Sequence, residues 1–419
     1  MFGLCDCNNF FVSCERVFNP SLESRPVIVL SNNDGCVVSR SNEAKSIGIK
    51  MGQPLYQIHD IIKRENVAVY SANYHLYGDM SQRVMTILKN HLEYTEVYSI
   101  DEAFMQIGDI PIERLKKFGE ELARTIHKGT GIPVSIGISH TKTLAKIASR
   151  LCKRYPRLNS ACLMYRPEDI EKVLSNYPVK DVWGIGRRHG KMLADCNIKS
   201  AWQFRMLSEE WVHNRMSITG VRTWRELQGV PSIEFSHQIA DKQTITVSRS
   251  FAKELYDIEE LRDTVSTFAA AAAEKLRQQR SVARQLQLFI FTNRHREELP
   301  QHNECATVHF VTPTDSSLEI VKNAVELLKK VYRKGFGYKK SGITLGEISP
   351  SNIYQSELFD TIDRPKHKSL MKVIDKINAA QGPQAIKIAS QGSIGEYTNR
   401  QYLSPQYTTK WEEIPIIKV

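Results

Sequence analysis

The spacing of apolar residues over the first 165 residues follows the periods of strands and helices in turn. Tyr77, Met80 and Val84, for example, share one face of a predicted helix. The predicted elements are strand 2–8, helix 74–91, hairpin 96–107, helix 112–127, strand 133–139 and helix 141–153. This order is typical of a split βαβ, ferredoxin-like unit. Residues 15–70, with a strand at 25–31 and a short helix at 41–47, form an insertion above that unit.

Beyond residue 165 the pattern changes twice. Residues 167–235 predict helices joined by short turns. A second, smaller α+β domain follows, with predicted strands at 244–251, 284–292, 306–311 and 341–348 and helices at 257–280 and 317–334. Past Ser349 the chain becomes irregular, with one predicted helix at 368–379. The expected fold class is therefore α+β, in several domains.

Composition excludes several classes of protein. The 419 residues suffice for about two to four domains. No apolar run approaches the length of a membrane span, and the N-terminus MFGLCDCNNFF lacks the features of a signal peptide. The eight cysteines are scattered, without the spacing of a zinc site. We therefore expect a cytoplasmic protein with free thiols and no membrane partner.

Positive charge is concentrated in one part of the chain. The formal net charge is +11. Residues 141–240 carry 17 Lys and Arg against 9 Asp and Glu, whereas residues 1–140 carry 14 against 16. A local basic excess suggests a polyanionic partner. The alternative is a solvated basic surface.

Three carboxylates are predicted to meet at one end of the sheet. Asp6 lies in the first strand, and Asp101 and Glu102 lie at the tip of the 96–107 hairpin. The first strand and this hairpin can be neighbours in a split βαβ sheet. Like charges this close are unfavourable without cations, and two Mg²⁺ ions would resolve the repulsion. The alternative for Asp101 and Glu102 alone is a solvated turn.

Two segments together resemble the Y family of translesion DNA polymerases. They are YSIDEAF at 98–104 and DCNNFF at 6–11, and the similarity extends from residue 1 to about residue 348. The segment LSNNDGCVVSRSNEAKSIGIKMG at 30–52 and the extra C-terminal segment resemble the UmuC-type branch, the catalytic subunits of DNA polymerase V. The resemblance implies error-prone, template-directed synthesis past lesions in the SOS response to DNA damage.

The same resemblance implies a right-hand architecture with a C-terminal extension for partner binding. The expected regions are a ferredoxin-like palm at 1–15 and 71–165, small fingers at 16–70, a helical helix-hairpin-helix thumb at 166–236, an α+β little finger at 241–348 and the extension at 349–419. In the implied site, Asp6 and Asp101 bridge two Mg²⁺ ions. Glu102 and the Cys7 carbonyl complete the ligand set.

Family motifs also imply a nucleotide pocket. Phe11 matches the aromatic steric gate that excludes a ribose 2′-OH, and Phe10 is its neighbour. Lys45, Lys153 and Arg40 are candidate contacts to the dNTP triphosphate, because a lysine acts as a point charge toward phosphate. The family often has Tyr three residues before its cation, and this chain has Asn42 there. For Phe10 and Phe11 the alternative is a pair of core aromatics on a strand.

Primer–template DNA is the expected polyanion. The segment VWGIG, with Gly184 and Gly186, precedes a Leu-bearing helix and predicts a helix-hairpin-helix whose N–H groups face phosphates. Arg187, Arg188 and Lys191 add positive charge beside it. Arg249, in the segment KQTITVSRSF, is a candidate contact to a template phosphate.

The C-terminal region carries one short motif. Gln355, Leu358 and Phe359 fit a Q-x-x-L-F pattern for docking on the bacterial sliding clamp. The resemblance further implies an accessory dimer of UmuD type and the RecA filament as partners.

Two other functions use some of the same features. A nucleotide cyclase could carry two metals on a similar palm, but it needs no grip on duplex DNA. A non-catalytic DNA-binding protein with a relict site is disfavoured by the intact Asp6, Asp101 and Glu102. Fold class alone does not separate these functions.

Overall fold

A computed structural model describes residues 1–108, 110–236, 240–352, 360, 362–382, 384–392 and 399–416. The chain divides into two compact units. The first comprises Met1–Ile239 with Arg400–Val419, and the second comprises Ala240–Asn399.

A five-stranded sheet organises the first unit. Its strands, in order across the sheet, are β5 (Tyr94–Val97), β6 (Glu102–Gln106), β1 (Phe2–Cys7), β7 (Val134–Ser139) and β8 (Ala161–Leu163). Pairing is antiparallel except between β7 and β8. The order of the first four strands confirms the ferredoxin-like palm. The short strand β8 adds a fifth that the apolar pattern did not predict.

Helices cover both faces of this sheet, because alternate side chains of each strand point to opposite faces. The helices are α1 (Phe10–Phe18), α4 (Tyr74–His91), α5 (Ile112–Thr130) and α6 (Lys142–Arg154). Cys5, Ala103 and Ile136 point into the core beneath α4 and α5, whereas Leu4 and Phe104 pack toward α6. Helix α1 was not predicted, so the aromatic pair at its start lies on a helix and not on a strand.

The insertion forms a small sheet with its own core. Its strands are β3 (Val37–Arg40), β2 (Val27–Leu30) and β4 (Ala68–Ser71), and its helices are α2 (Asn42–Ser46) and α3 (His59–Arg64). The Ser41 hydroxyl caps α2 by accepting the Ala44 N–H at 3.1 Å. Gly48, at φ 86°, follows its end. The predicted strand and short helix are therefore confirmed.

The helical region contains α7 (Pro167–Asn176), α8 (Arg187–Asp195), α9 (Ala201–Arg205) and α10 (Glu209–Gln228). Its carboxylate Glu226 is fully buried and ties α10 to the palm. The Glu226 carboxylate accepts N–H groups from Thr143, Ser232 and Ile233 at 2.8–3.2 Å. These bonds satisfy a charge that burial would otherwise penalise.

The second unit is a four-stranded antiparallel sheet covered by helices. Its strands, in order, are β11 (Asn303–Thr314), β10 (Ser281–Thr292), β12 (Tyr338–Pro350) and β9 (Ile245–Leu255). Its helices are α11 (Ile258–Gln278), α12 (Ser317–Val331) and α13 (Arg364–Gln381). The predicted α+β little finger is confirmed by this sheet with α11 and α12. Helix α13, in the predicted C-terminal extension, is longer than the apolar pattern indicated.

Residues 400–416, here called the C-terminal segment, belong to the first unit. Leu403 forms a parallel β-bridge with Ser71, and Tyr407 stacks on Phe18 with ring centroids 4.7 Å apart. All eight cysteines are free thiols, as expected. Among the described residues, no helix has the length and hydrophobicity needed to cross a bilayer.

Candidate active site

Three carboxylates come together where β1 ends and β6 begins. The antiparallel register places Asp6 directly opposite Glu102. The Cys7 N–H donates to the Asp101 carbonyl at 2.8 Å, which holds the loop before β6 against the end of β1. Asp6 is buried, and Asp101 and Glu102 are half-buried. Strand pairing therefore brings Asp6 next to two acids that follow it by 95 and 96 residues in the chain.

Each carboxylate has a different hydrogen-bond partner. The contacts are Lys153 Nζ to Asp6 Oδ1 at 2.6 Å, Lys146 Nζ to Glu102 Oε2 at 2.7 Å and Ser99 Oγ to Asp101 Oδ1 at 2.6 Å. Within the described part of the chain, no three His, Cys, Asp or Glu side chains are arranged to hold a metal ion. Two ammonium groups instead supply the positive charge that three clustered acids need.

Asp6 remains incompletely compensated in this arrangement. Burial raises the pKa of Asp6 to about 6, because desolvation disfavours the carboxylate. Lys153 opposes this shift, and the charges of Glu102 and Asp101 add to it. Further positive charge near Asp6 would therefore stabilise its ionised form.

The lysines come from one face of α6. Lys142, Lys146 and Lys153 are spaced by four and seven residues, which places them within about one helical stripe. Lys142 is fully buried and donates to Glu96 Oε2 and to the Glu234 carbonyl, each at 2.6 Å. Of the three, only Lys153 was predicted from the sequence as a site residue. The same spacing would have found the other two.

Aromatic rings line the start of α1. Phe11 is half-exposed and stacks on Tyr77 with centroids 4.4 Å apart and planes at 13°. Tyr74 meets the Phe11 ring edge-on at 5.8 Å. Phe10 is only 3% exposed, so its ring belongs to the core and not to a surface that could contact a nucleotide. The apolar spacing of α4 had marked Tyr77 only as a core residue.

A group of cations lies near the carboxylates. Lys45 Nζ donates to Asn9 Oδ1 at 2.6 Å and to Asn42 Oδ1 at 3.0 Å. Partial burial lowers the pKa of Lys45, and the charges of Lys153 and Arg40 lower it further. Arg40 donates to a backbone carbonyl of its own sheet region, that of Ile49. Lys45, Lys153 and Arg40 therefore share one electrostatic neighbourhood.

The glycine turn before α8 packs against α10. Gly184 has φ 90°, and a Cβ there would overlap the Thr223 hydroxyl, so only glycine fits. Gly186 is exposed at the start of α8, and a Cβ there would meet nothing within 4 Å. Arg187, Arg188 and Lys191 on α8 are exposed.

An aromatic cluster connects this turn to the carboxylate loop. Trp183 Nε1 donates to the Tyr98 hydroxyl at 3.1 Å, and its ring lies 5.4 Å from that of Phe104. Lys146 lies over the Tyr98 and Trp183 rings at 4.8 and 5.5 Å. Sequence reasoning missed this cluster, although Tyr98 and Trp183 each stand inside a recognised motif.

Two further predicted contacts fall within the range of the second unit. Arg249 is half-buried on β9, opposite Ser341 of β12. Gln355, Leu358 and Phe359 of the clamp motif lie outside the described residues.

Solved structures similar to this one are Y-family DNA polymerases. A chimera of the polymerases Dbh and Dpo4 matches with a TM-score of 0.69 at 19% identity, over 84% of this chain and 100% of its own. DinB from Sulfolobus solfataricus matches with a TM-score of 0.52 at 19% identity, over 83% of this chain and 98% of its own. The right-hand polymerase fold expected from the sequence is confirmed.

Sequence comparisons identify the family. The impB/mucB/samB family matches residues 5–150, its C-terminal domain matches 242–358, and the domain of unknown function DUF4113 matches 368–417. Protein UmuC and Protein ImpB of Salmonella typhimurium are 40% and 38% identical over 100% of both chains. DNA polymerase IV 1 of Bacillus subtilis is 25% identical over 91% of each. The chain belongs to the impB/mucB/samB family of Y-family DNA polymerases, which confirms the predicted DNA-directed DNA polymerase class.

Proposed function

We propose that this protein is an error-prone, template-directed polymerase that synthesises DNA past lesions in the SOS response, acting in the bacterial cytoplasm. The observation that carries the proposal is the register that sets Asp6 opposite Glu102, with Asp101 beside them. Similarity to UmuC and ImpB over the whole chain supports the translesion branch. The reaction is in-line attack of a primer 3′-OH on the α-phosphate of a dNTP, which releases pyrophosphate.

We propose that this site holds two Mg²⁺ ions when Lys153 and Lys146 turn away from Asp6 and Glu102. Mg²⁺ prefers carboxylate oxygens combined with substrate phosphates, and the buried Asp6 lacks full compensation. We assign Asp6, the Cys7 carbonyl, Asp101 and Glu102 as the ligands. When bound, Mg²⁺ supplies a lowered pKa at the attacking hydroxyl and charge stabilisation at the leaving pyrophosphate.

Lys153, which pairs with Asp6, is suited to bind the incoming nucleotide. Lys153 lies 2.6 Å from Asp6, so it can turn from that carboxylate to a phosphate over a short distance. Lys45 and Arg40 supply further positive charge for the triphosphate. Asn42, where the family often has Tyr, accepts a hydrogen bond from Lys45 and so orients that ammonium group.

Sugar selection is assigned to Phe11. Its ring is half-exposed and rigidly supported from behind by Tyr77. A planar aromatic ring under the deoxyribose leaves no room for a 2′-OH. Ribonucleotides are therefore excluded by overlap and not by a missing hydrogen bond.

The remaining regions hold the primer–template. Exposed backbone at Gly186 and cations at Arg187, Arg188 and Lys191 can contact phosphates without reading sequence. Arg249 on β9 is assigned to a template phosphate. The proposed regions are the palm at 1–15 and 71–165, fingers at 16–70, thumb at 166–236 and little finger at 241–348.

Residues 349–419 are assigned to partner binding. Gln355, Leu358 and Phe359 form the proposed docking motif for the sliding clamp. The accessory dimer of UmuD type and the RecA filament are the other proposed partners, on the resemblance to the UmuC-type branch.

Primer extension with Mg²⁺ past an abasic site tests the proposal, with the accessory dimer and RecA filament present. We expect the native protein to extend the primer and Asp101→Ala to lose at least about 100-fold of that activity, because it removes a metal ligand and transition-state charge stabilisation. Glu121→Ala, at an exposed carboxylate of α5, is the matched control and should extend normally. Equal extension by the Asp101→Ala variant would sink the metal-site assignment.

A further inference from the structure

The C-terminal segment reaches the back of the sugar-selecting aromatic pair. Its backbone runs beside β4, where Ser71 N–H donates to the Tyr402 carbonyl at 2.9 Å. Tyr402 N–H donates to the Ser71 hydroxyl at 3.0 Å. Gln401 N–H donates to Asp34 Oδ2 at 2.9 Å. The segment is thus held by specific bonds just before Leu403.

Ser404 is the point at which the segment enters the core of the palm. It is 5% exposed, and its hydroxyl donates to Glu15 Oε1 at 3.0 Å. Asn73 donates from its amide nitrogen to the Ser404 hydroxyl, the Ser404 carbonyl and the Pro405 carbonyl at 3.0–3.1 Å. The Asn73 side-chain oxygen Oδ1 accepts the Leu76 N–H and so caps α4. One side chain therefore fixes both the segment and the start of α4.

Glu15 links Ser404 to the aromatic pair of Tyr77 and Phe11. Tyr77 donates its hydroxyl to the same Glu15 oxygen at 2.6 Å, and both side chains are at most 1% exposed. Glu15 stands four residues after Phe11, so both project from one face of α1. Tyr77 spans that face, with its hydroxyl on Glu15 and its ring stacked on Phe11 at 4.4 Å.

We infer that Ser404, Glu15 and Tyr77, here called the Glu15 network, position Phe11 and so set the enzyme's discrimination between deoxyribo- and ribonucleotides. A buried hydroxyl bonded to a carboxylate defines the height and tilt of the Tyr77 ring. That ring in turn fixes how far Phe11 can retreat from a 2′-OH. The C-terminal segment, within the matched domain of unknown function, thereby contributes a specificity-determining residue to the polymerase site.

This inference rests on the assignment of Phe11 as the steric gate. The residues of the Glu15 network touch no substrate, so they are positioning residues. Their loss should change the selectivity for the sugar more than the rate with the correct nucleotide. A purely structural role would lower incorporation of dNTP and rNTP by the same factor.

The test measures kcat/KM for one dNTP and the matching rNTP, under conditions in which the native protein extends a primer. Tyr77→Phe keeps the ring stack and removes the hydroxyl, and Ser404→Ala removes the other donor. We expect each to reduce the dNTP preference about threefold to tenfold, the size expected for one hydrogen bond, with dNTP use within about twofold of native. Ser404→Thr keeps a hydroxyl and should restore the preference.

Two variants separate the possible failures. Thr409→Ala removes a hydroxyl from an exposed part of the same segment and should match the native protein. Phe11→Ala should admit the rNTP. If Phe11→Ala admits the rNTP while Tyr77→Phe and Ser404→Ala discriminate like native, the network is wrong and the gate stands. If Phe11→Ala discriminates like native, the assignment of Phe11 as steric gate is wrong, and so is the role inferred for the Glu15 network. Equal losses for both nucleotides in Ser404→Ala and Tyr77→Phe would also overturn the inference.

Discussion

Single residues in this molecule show how burial and neighbours give similar side chains different properties. Asp6 and Glu15 are both buried carboxyl groups on adjacent elements. Asp6 pairs with the ammonium group of Lys153. Glu15 instead accepts hydrogen bonds from two hydroxyl groups, those of Tyr77 and Ser404. Neutral donors compensate a buried charge less well than a cation does.

The stability of the protein should therefore depend on pH through Glu15. Burial raises the pKa of Glu15 to about 7, although the two hydroxyl donors oppose the shift. Between the ordinary glutamate value of 4.5 and about 7, the folded state binds the Glu15 proton more tightly than the unfolded state does. This contribution to stability is complete below pH 4.5 and is lost as pH rises to about 7.

Glu15→Gln removes this dependence, because the amide stays neutral and keeps an acceptor oxygen. Urea unfolding at about pH 5 and about pH 8, on either side of the Glu15 pKa, measures the difference in unfolding free energy between Glu15→Gln and native. The difference in unfolding free energy should be small at about pH 5, and at about pH 8 the variant should be the more stable protein.

The phenols of Tyr77 and Tyr407 and the Cys14 thiol, which also face Glu15, have raised pKa values and stay neutral over this range. Glu121→Gln is the exposed control. A difference that does not change with pH would contradict the assignment.

At the scale of elements, the position of α6 decides where its lysines lie. The helix packs against β7 at Gly137, where a Cβ would overlap the Ala145 carbonyl oxygen and the Ser149 nitrogen. Both are backbone atoms, so no side chain can move aside. The close approach of helix and strand is what brings Lys146 and Lys153 within reach of Glu102 and Asp6.

Gly137→Ala should push α6 away from the sheet. We expect unfolding to become easier by about 1–3 kcal/mol, the usual cost of overpacking a core, and primer extension to fall. Gly78→Ala, at an exposed position of α4 with nothing within 4 Å of an added Cβ, is the matched control. It should be neutral or stabilising by up to about 1 kcal/mol. Urea titration measures both, and an unchanged midpoint for Gly137→Ala would disprove the proposed role of close packing.

At the scale of the whole molecule, positive charge is unevenly distributed along the chain. The basic excess of residues 141–240 includes the lysine face of α6 and the exposed cations of α8. The first group lies against carboxylates, and the second faces solvent. The second group is therefore accessible to a large polyanion such as duplex DNA, and its contribution should be visible in salt dependence.

Replacing Arg187, Arg188 and Lys191 together with Ala should weaken binding to primer–template DNA at every sequence. The slope of log K against log salt concentration is negative. It should become shallower by about 0.9 for each phosphate that is no longer neutralised, and so by about 2 to 3 in all. Lys116, Lys117 and Lys128 on α5, replaced together with Ala, change the charge equally and serve as the control. Fluorescence anisotropy across a salt series checks both. Identical slopes for the two triple variants would rule out α8 as a DNA-binding element.

Much of the fold was accessible from the sequence because long apolar periods report local structure directly. The helix predicted at 74–91 matches Tyr74–His91, and the hairpin around Asp101 is present between β5 and β6. The helix at 10–18 was missed, because Ser13, Glu15 and Arg16 interrupt the apolar period over only nine residues. The C-terminal segment was missed because its structure consists of bonds to Ser71, Asn73 and Glu15, distant in sequence.

For the site, the sequence alone determined which chemical groups are available. They are three acids flanked by apolar residues, two adjacent phenylalanines shortly after the first acid, and a basic stretch after residue 140. These follow from residue identity and local period. Tertiary structure decided which of these groups meet. The strand register places Asp6 opposite Glu102. Close packing at Gly137 brings Lys146 and Lys153 near these acids. The C-terminal segment contacts Glu15. Such tertiary contacts depend on strand order and packing distance, which no local sequence pattern encodes.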